Sequence, residues 1–148
     1  MINIDNPLCI VTGGSFGIGN AVCNKFNAQN YTVVNLDIMD NPDQSKDITW
    51  IKCDMSDASQ VSTAIQQIIA QHGRVDCLVS NAGMHFSANI EDTSDEDFER
   101  VFSLNVKGAM AATKAVLPSM KSQQSGVILY MASDQALIAK HNSFAYNM

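Results

Sequence analysis

The chain has 148 residues, 46% of them hydrophobic and 16% charged, and a formal net charge of −6. That length makes one domain with room for a substantial core, and the composition is that of a globular protein rather than a disordered one. A pI near 4.7 leaves no basic stripe for nucleic-acid phosphates, so nucleic acid is excluded as an expected partner.

The opening residues, Met1 to Pro7, hold no basic region followed by an apolar stretch, and no run approaches membrane-spanning length. A cytoplasmic protein without a membrane partner is therefore expected. A first apolar strand falls near 8–12 and is followed at once by Thr12-Gly13-Gly14-Ser15-Phe16-Gly17-Ile18-Gly19, where a helix begins. A second strand near 31–37 ends at Asp37, and Asn41 to Asp47 form a polar loop with no sign of a domain linker. The third strand, near 48–53, leads into the clearest helix of the chain. Ser56 or Asp57 supplies its cap, Val61, Ala64, Ile65, Ile68 and Ile69 make one apolar stripe, and Gly73 stops it.

A fourth strand near 75–80 precedes a helix whose acidic first turn, Thr93 to Glu96, suits the helix dipole. Its inward stripe runs Phe98, Val101, Phe102 and Asn105, then Ala109, Ala112 and Val116, and the long helix continues from about Asn105 to Lys121. An amide on an apolar face needs partners or costs roughly 1–3 kcal/mol, so Asn105 is either a buried structural amide or part of a polar site. The fifth strand lies near 126–132. Strands and helices thus alternate from end to end, the pattern of a parallel sheet with helices on both faces. The four cysteines, Cys9, Cys23, Cys53 and Cys77, fall singly and read as reduced, mostly buried small hydrophobes, so no metal or disulfide framework is expected. The scattered methionines read as fillers of core gaps.

The layout of residues 8–37 is that of a dinucleotide-binding βαβ unit. Gly13, Gly17 and Gly19 stand where the backbone must turn tightly and where a pyrophosphate must approach main-chain N–H groups, at the positive end of the helix dipole. A tight turn in some other α/β protein would use similar glycines. Asp37, at the carboxyl end of the second strand, can accept hydrogen bonds from a ribose diol and would repel a 2′-phosphate, and no Lys or Arg follows it closely. The cofactor is read as NAD, with NADP less favoured; an Asp that merely caps a loop is the plainer alternative. Ligands of an open parallel sheet gather at the carboxyl ends of the strands. There stand Asp54 and Met55 to meet an adenine, Asn81-Ala82-Gly83 to admit a flat ribose and nicotinamide, Ser133, and then Tyr146. The cofactor-binding set is Gly13, Ser15, Phe16, Gly17, Ile18, Gly19, Asp37, Asp54, Met55, Asn81, Ala82 and Gly83.

Thr12 to Gly19, Asp37, Asp54, Asn81-Ala82-Gly83, Asn105 within Asn-Val-Lys-Gly, Ser133 and Tyr146 occur in an order and spacing that resemble the short-chain dehydrogenase/reductase family, in its single-domain type. The resemblance implies a doubly wound Rossmann fold with strand order 3-2-1-4-5-6-7, a nicotinamide cofactor, and hydride transfer to or from a small-molecule alcohol or ketone. It implies Tyr146 as acid/base, Ser133 as a hydrogen-bond partner of the same substrate oxygen, and Asn105 as the holder of a water in a proton relay. A free tyrosine has a pKa of about 10, so roughly 0.1% is ionised at pH 7 unless positive charge lies near. In the family a lysine four residues on supplies that charge, and here its position, 150, lies past Met148. Ser80 also replaces the first Asn of the family's Asn-Asn-Ala-Gly.

The reading is therefore a single domain over 1–148, incomplete at its C-terminus, truncated after the fifth strand and leaving that strand an exposed edge. A homodimer or homotetramer is expected of the complete protein, with Ala111 and Ala115 on the outer side of the long helix. A non-catalytic nucleotide-binding or interaction module is the alternative, disfavoured because Asn105, Ser133 and Tyr146 are all retained. His85 and His141 are candidates for touching substrate, and Asp134 and Gln135 for bonding a polar one, such as a small hydroxylated molecule.

Overall fold

The computed structural model describes residues 6–148. Five strands, β1 (Leu8–Thr12), β2 (Thr32–Asp37), β3 (Ile48–Lys52), β4 (Cys77–Ser80) and β5 (Val127–Tyr130), form one sheet in the order β3-β2-β1-β4-β5. Every pairing is parallel. This is a doubly wound, Rossmann-type sheet, and strand order reverses between β1 and β4.

Period-two alternation along the buried strands explains the two faces. Cys9, Val11, Val33, Ile48, Cys77 and Val79 point to one side, where Cys23 of α1 (Gly17–Asn27) packs with Val22 and Phe26. Leu8, Ile10, Val34, Leu36 and Leu78 point to the other, under Val61, Ala64, Ile65 and Ile68 of α2 (Ala58–His72) and Ala112, Val116 and Met120 of α4 (Ala109–Gln123). A parallel strand covered on both sides reads as an unbroken apolar run, as Leu8 to Val11 does, and each such side chain contributes roughly 1.5–3 kcal/mol on burial. All four cysteines are buried and free.

Local signals set the helix ends. The Asp57 carboxylate accepts from Ser59 N at 2.9 Å and Gln60 N at 3.1 Å, so Asp57 rather than Ser56 is the cap, and Gly73 closes α2. Ser94 caps α3 (Asp95–Phe102) by accepting from Asp97 N at 3.1 Å.

Several expectations change. The long helix runs unbroken over 95–123 but changes period within it: Ser103–Gly108 form a π-turn between α3 and α4. A Cβ on Gly108 would stand 2.3 Å from the Met55 carbonyl oxygen, so the helix seats closely on the end of β3 there, and one extra residue is absorbed in the turn. Phe102, the last residue of α3, is 38% exposed and stacks on Phe98 with ring centroids 6.0 Å apart. Ala111 and Ala115 pack partly buried against the core rather than standing free on an outer side. Met55 and Met120 fill core gaps, but Met39, Met110, Met131 and Met148 are exposed. Among the described residues β5 pairs with β4 alone, and Val127 and Leu129 remain about half exposed.

Candidate active site

The carboxyl ends of β1, β2 and β3 open into a groove of about 650 Å³. Its floor is the turn after β1. At Gly19 a Cβ would lie 2.0 Å from the Gly13 carbonyl oxygen and 2.6 Å from Asn81 Nδ2, so only glycine lets α1 begin this close to the strand ends. Phe16 makes no side-chain cap, and the first N–H groups of α1 have no intrahelical partner. Asn81 locks the floor to the neighbouring strand: its Nδ2 donates to the carbonyls of Thr12 at 3.1 Å and Gly13 at 3.0 Å. The N–H groups of Asn81 and Ala82 both donate to Thr12 Oγ1 at 3.0 Å.

Asp37 stands at the groove's side with its carboxylate oriented by Ser15 N at 3.0 Å and Met39 N at 3.1 Å. Asp54, across the groove, accepts from Ser56 N at 2.9 Å and Ser56 Oγ at 2.7 Å through one oxygen. Phe16, Ile18, Ile38 and Met39 line the groove although each is at least half exposed, so they form an apolar wall open to solvent rather than part of the core. Cys53, also in the lining, stays a neutral thiol: burial first, then the charges of Asp54 and Asp57, push it up to about 11.

A second cleft, of about 350 Å³, shares Ile18, Asn81, Ala82, Gly83 and Met84 with the groove and so continues it. Asn105, Ser133 and Tyr146, far apart in sequence, all line it. Asn105 sits in the π-turn and clamps the chain after β4, accepting from Met84 N at 2.8 Å and donating to Met84 O at 2.9 Å. Ser133 caps a short 3-10 turn by accepting from Gln135 N at 3.2 Å. Tyr146 belongs to the short helix α5 (Phe144–Asn147), which is tied to the same chain segment by Phe144 N donating to Ala88 O at 3.0 Å. The His85 ring lies edge-on to the Tyr146 ring at 4.8 Å, and its Nε2 is 3.1 Å from the buried Ser143 Oγ.

The groove and cleft therefore gather almost every residue the sequence singled out. Ser15 is set apart: it is fully buried, outside both linings, and every polar group it has is bonded within the protein. Met55 reaches the groove's edge but is only 4% exposed and packs in the core, so it does not lie open against a ring. His85 lines the cleft, whereas His141 is exposed outside it. Asp134 turns away to Lys140, whose hydrogen bond and charge hold its carboxyl below the usual range, and Gln135 is buried outside the lining. Sequence reasoning missed Arg100, the cation of the groove lining among the described residues, as well as Ile38, Met39, Leu104 and Tyr130. The place of Ile38 and Met39, directly after Asp37 at a strand end, was the available signal; Arg100 gave none.

Residues 7–147 match the family model for short chain dehydrogenase. The chain belongs to the short-chain dehydrogenase family. The oxidoreductase UcpA of Salmonella typhimurium is 34% identical over 141 residues, 90% of this short-chain dehydrogenase chain and 54% of that protein. (+)-Borneol dehydrogenase 1 of Salvia officinalis is 33% identical over 138 residues, covering 88% of this chain and 53% of its own. The ligand-free aldohexose dehydrogenase of Thermoplasma acidophilum superposes with a TM-score of 0.91 at 32% identity, over 99% of this chain and 56% of that one. The chain spans about half the length of the curated relatives it matches. Among the described residues of this short-chain dehydrogenase no helix is long and apolar enough to cross a membrane.

Proposed function

We propose that residues 1–148 form one dinucleotide-binding domain of an NAD-dependent oxidoreductase that moves a hydride between NAD(H) and a small polar secondary alcohol or ketone. The observation that carries this reading is the continuity of the two sites: a groove with an uncapped helix head and a strand-end carboxylate runs directly into a cleft holding a tyrosine, a serine and an amide. The groove fits a dinucleotide. Backbone N–H groups at the head of α1 suit a diphosphate, the missing Cβ at Gly19 keeps the floor open, and the apolar wall suits a base. Asp37 supports NAD over NADP, because its carboxylate would accept from a ribose diol and repel a 2′-phosphate.

When bound, the nicotinamide group supplies or accepts the hydride. The chain's own part is proton handling and orientation. The Tyr146 hydroxyl exchanges a proton with the substrate oxygen, and the Ser133 hydroxyl bonds the same oxygen and sets its angle. Asn105 holds the Met84 segment against the cleft and keeps one N–H and one carbonyl lone pair free for a water. The cleft lining contains no Lys or Arg among the described residues, so charge to favour the tyrosinate must come from elsewhere. Relatives named for borneol and for an aldohexose support a hydroxyl compound as substrate class.

The test uses the full-length protein. Calorimetry should show association with NAD and NADH and weaker association with NADP, and a panel of small secondary alcohols should yield NADH. Tyr146→Phe should lower that rate by about 10²–10⁴-fold while leaving NAD affinity in place. No heat with either NAD or NADH would end the reading.

A further inference from the structure

Gln44 lies on the loop between β2 and β3, which the sequence presents only as a polar stretch. Its carboxamide reaches back to the turn after β1, where Nε2 donates to the Gly14 carbonyl at 2.7 Å and to Asn20 Oδ1 at 3.0 Å. Its Oε1 accepts from Asn35 Nδ2 at 3.1 Å. Asn35 is fully buried between Val34 and Leu36 on β2, an odd place for an amide until its partners are counted in. It accepts from Gly14 N at 2.8 Å and donates to Ser15 Oγ at 3.0 Å. A Cβ on Gly14 would stand 2.5 Å from Asn35 Oδ1, so the turn is packed onto this amide with no slack.

Neighbouring segments hold the rest of the turn. Ser15 N donates to Asp37 at 3.0 Å, and Ser15 O accepts from Asn41 Nδ2 at 2.6 Å. Gly13 N donates to Leu36 O at 2.8 Å, and Gly13 O accepts from Asn81 Nδ2. Every main-chain N–H and C=O of residues 13–15 is thereby committed to a protein partner. The first N–H groups left for a ligand are those at the head of α1, and their direction is set by a turn that cannot move independently of Gln44 and Asn35.

We infer that Gln44 and Asn35 are positioning residues for the diphosphate of a dinucleotide: neither lines the groove, and they act by fixing the turn that aims the α1 amides into it. This rests on the dinucleotide reading of the groove. An adenosine ligand without phosphates would meet Asp37 and the apolar wall but not those amides, so it should be indifferent to Gln44.

The experiment measures binding of NAD, ADP-ribose and adenosine to the full-length protein and to Gln44→Ala, by calorimetry for the first two and ligand-observed NMR for adenosine. Gln44→Ala should weaken NAD and ADP-ribose by about tenfold and leave adenosine unchanged, with the folded protein confirmed by a cooperative thermal transition well above the assay temperature, since loss of the bonds to Gly14 and Asn35 lowers the midpoint itself. Gln44→Glu is the second variant: it keeps the acceptor for Asn35, loses the donors to Gly14 and Asn20, and should show the same split. Equal weakening of all three ligands would reduce Gln44 to a merely structural residue, and no weakening of any would remove it altogether; either overturns the inference. Wild-type protein that binds none of the three overturns the dinucleotide reading itself, and the inference falls with it.

Discussion

Replacing Gly19 by alanine sets two effects of opposite sign against each other. Gly19 lies inside α1, where alanine in place of glycine gains about 1 kcal/mol of helix propensity. The added Cβ, however, would stand 2.0 Å from the Gly13 carbonyl oxygen and 2.8 Å from the Gly13 carbonyl carbon, and 2.6 Å from Asn81 Nδ2. Relief requires backbone to part from backbone by roughly 1 Å, because the Gly13 atoms are main chain and Asn81 Nδ2 is tied to two carbonyls, and such overpacking costs about 1–3 kcal/mol. The Gly13 carbonyl is also held by Asn81, so moving it strains a bond that joins the β1 and β4 ends. The clash therefore outweighs the propensity over nearly all of that range, with a net loss of up to about 2 kcal/mol. Urea denaturation of the full-length protein and its Gly19→Ala form, at matched slope, reads this directly. Dinucleotide affinity should fall in the same variant, since the head of α1 is displaced from the floor of the groove. An unchanged or higher midpoint would refute the packing argument, because propensity alone would then have decided the sign.

Two further expectations concern stability. Asn105→Ala leaves the N–H and C=O of Met84 without their partners, which should cost about 1–3 kcal/mol by denaturation; a loss below about 0.5 kcal/mol would mean that water replaces the amide at no penalty. Asp57 has its carboxyl held below the usual range, first by Gln60 through N–H and side-chain bonds and then by Ser59 N. A carboxyl with a depressed folded pKa contributes stability above its unfolded value of about 3.9, and that contribution is lost as pH falls through the folded pKa. Thermal midpoints recorded below about pH 4 should fall less steeply for Asp57→Ala than for the unaltered protein, and parallel curves would show that the cap carries no such linkage.

Much of the fold was legible because its causes are local. Leu8 to Val11 and Leu78-Val79 read as strands since both faces are covered, Asp57 and Gly73 mark the ends of α2 through bonds to residues a few positions away, and the acidic turn Thr93 to Glu96 marks the start of α3. The candidate site was legible at the glycines and Asp37, where tight turns and strand-end placement limit the residue type, and at Ser133 and Tyr146 through the family resemblance; all of these line the groove or the cleft. It was illegible at Ser15, which the motif places beside a ligand and the structure buries outside the groove lining, and at Arg100, which reaches the groove from α3.

By itself, then, the order of residues determined the five parallel strands, the first crossover and the types of group at each strand end, because periodicity, capping and tight turns are settled between near neighbours along the chain. Only the tertiary structure decided which of those groups meet. The π-turn that brings the Asn105 amide to Met84, the contact of His85 with Tyr146, and the bonds from Gln44 and Asn35 to the glycine turn all join segments from different strands and helices. Such contacts depend on how the chain returns across the sheet, and no local pattern encodes that return.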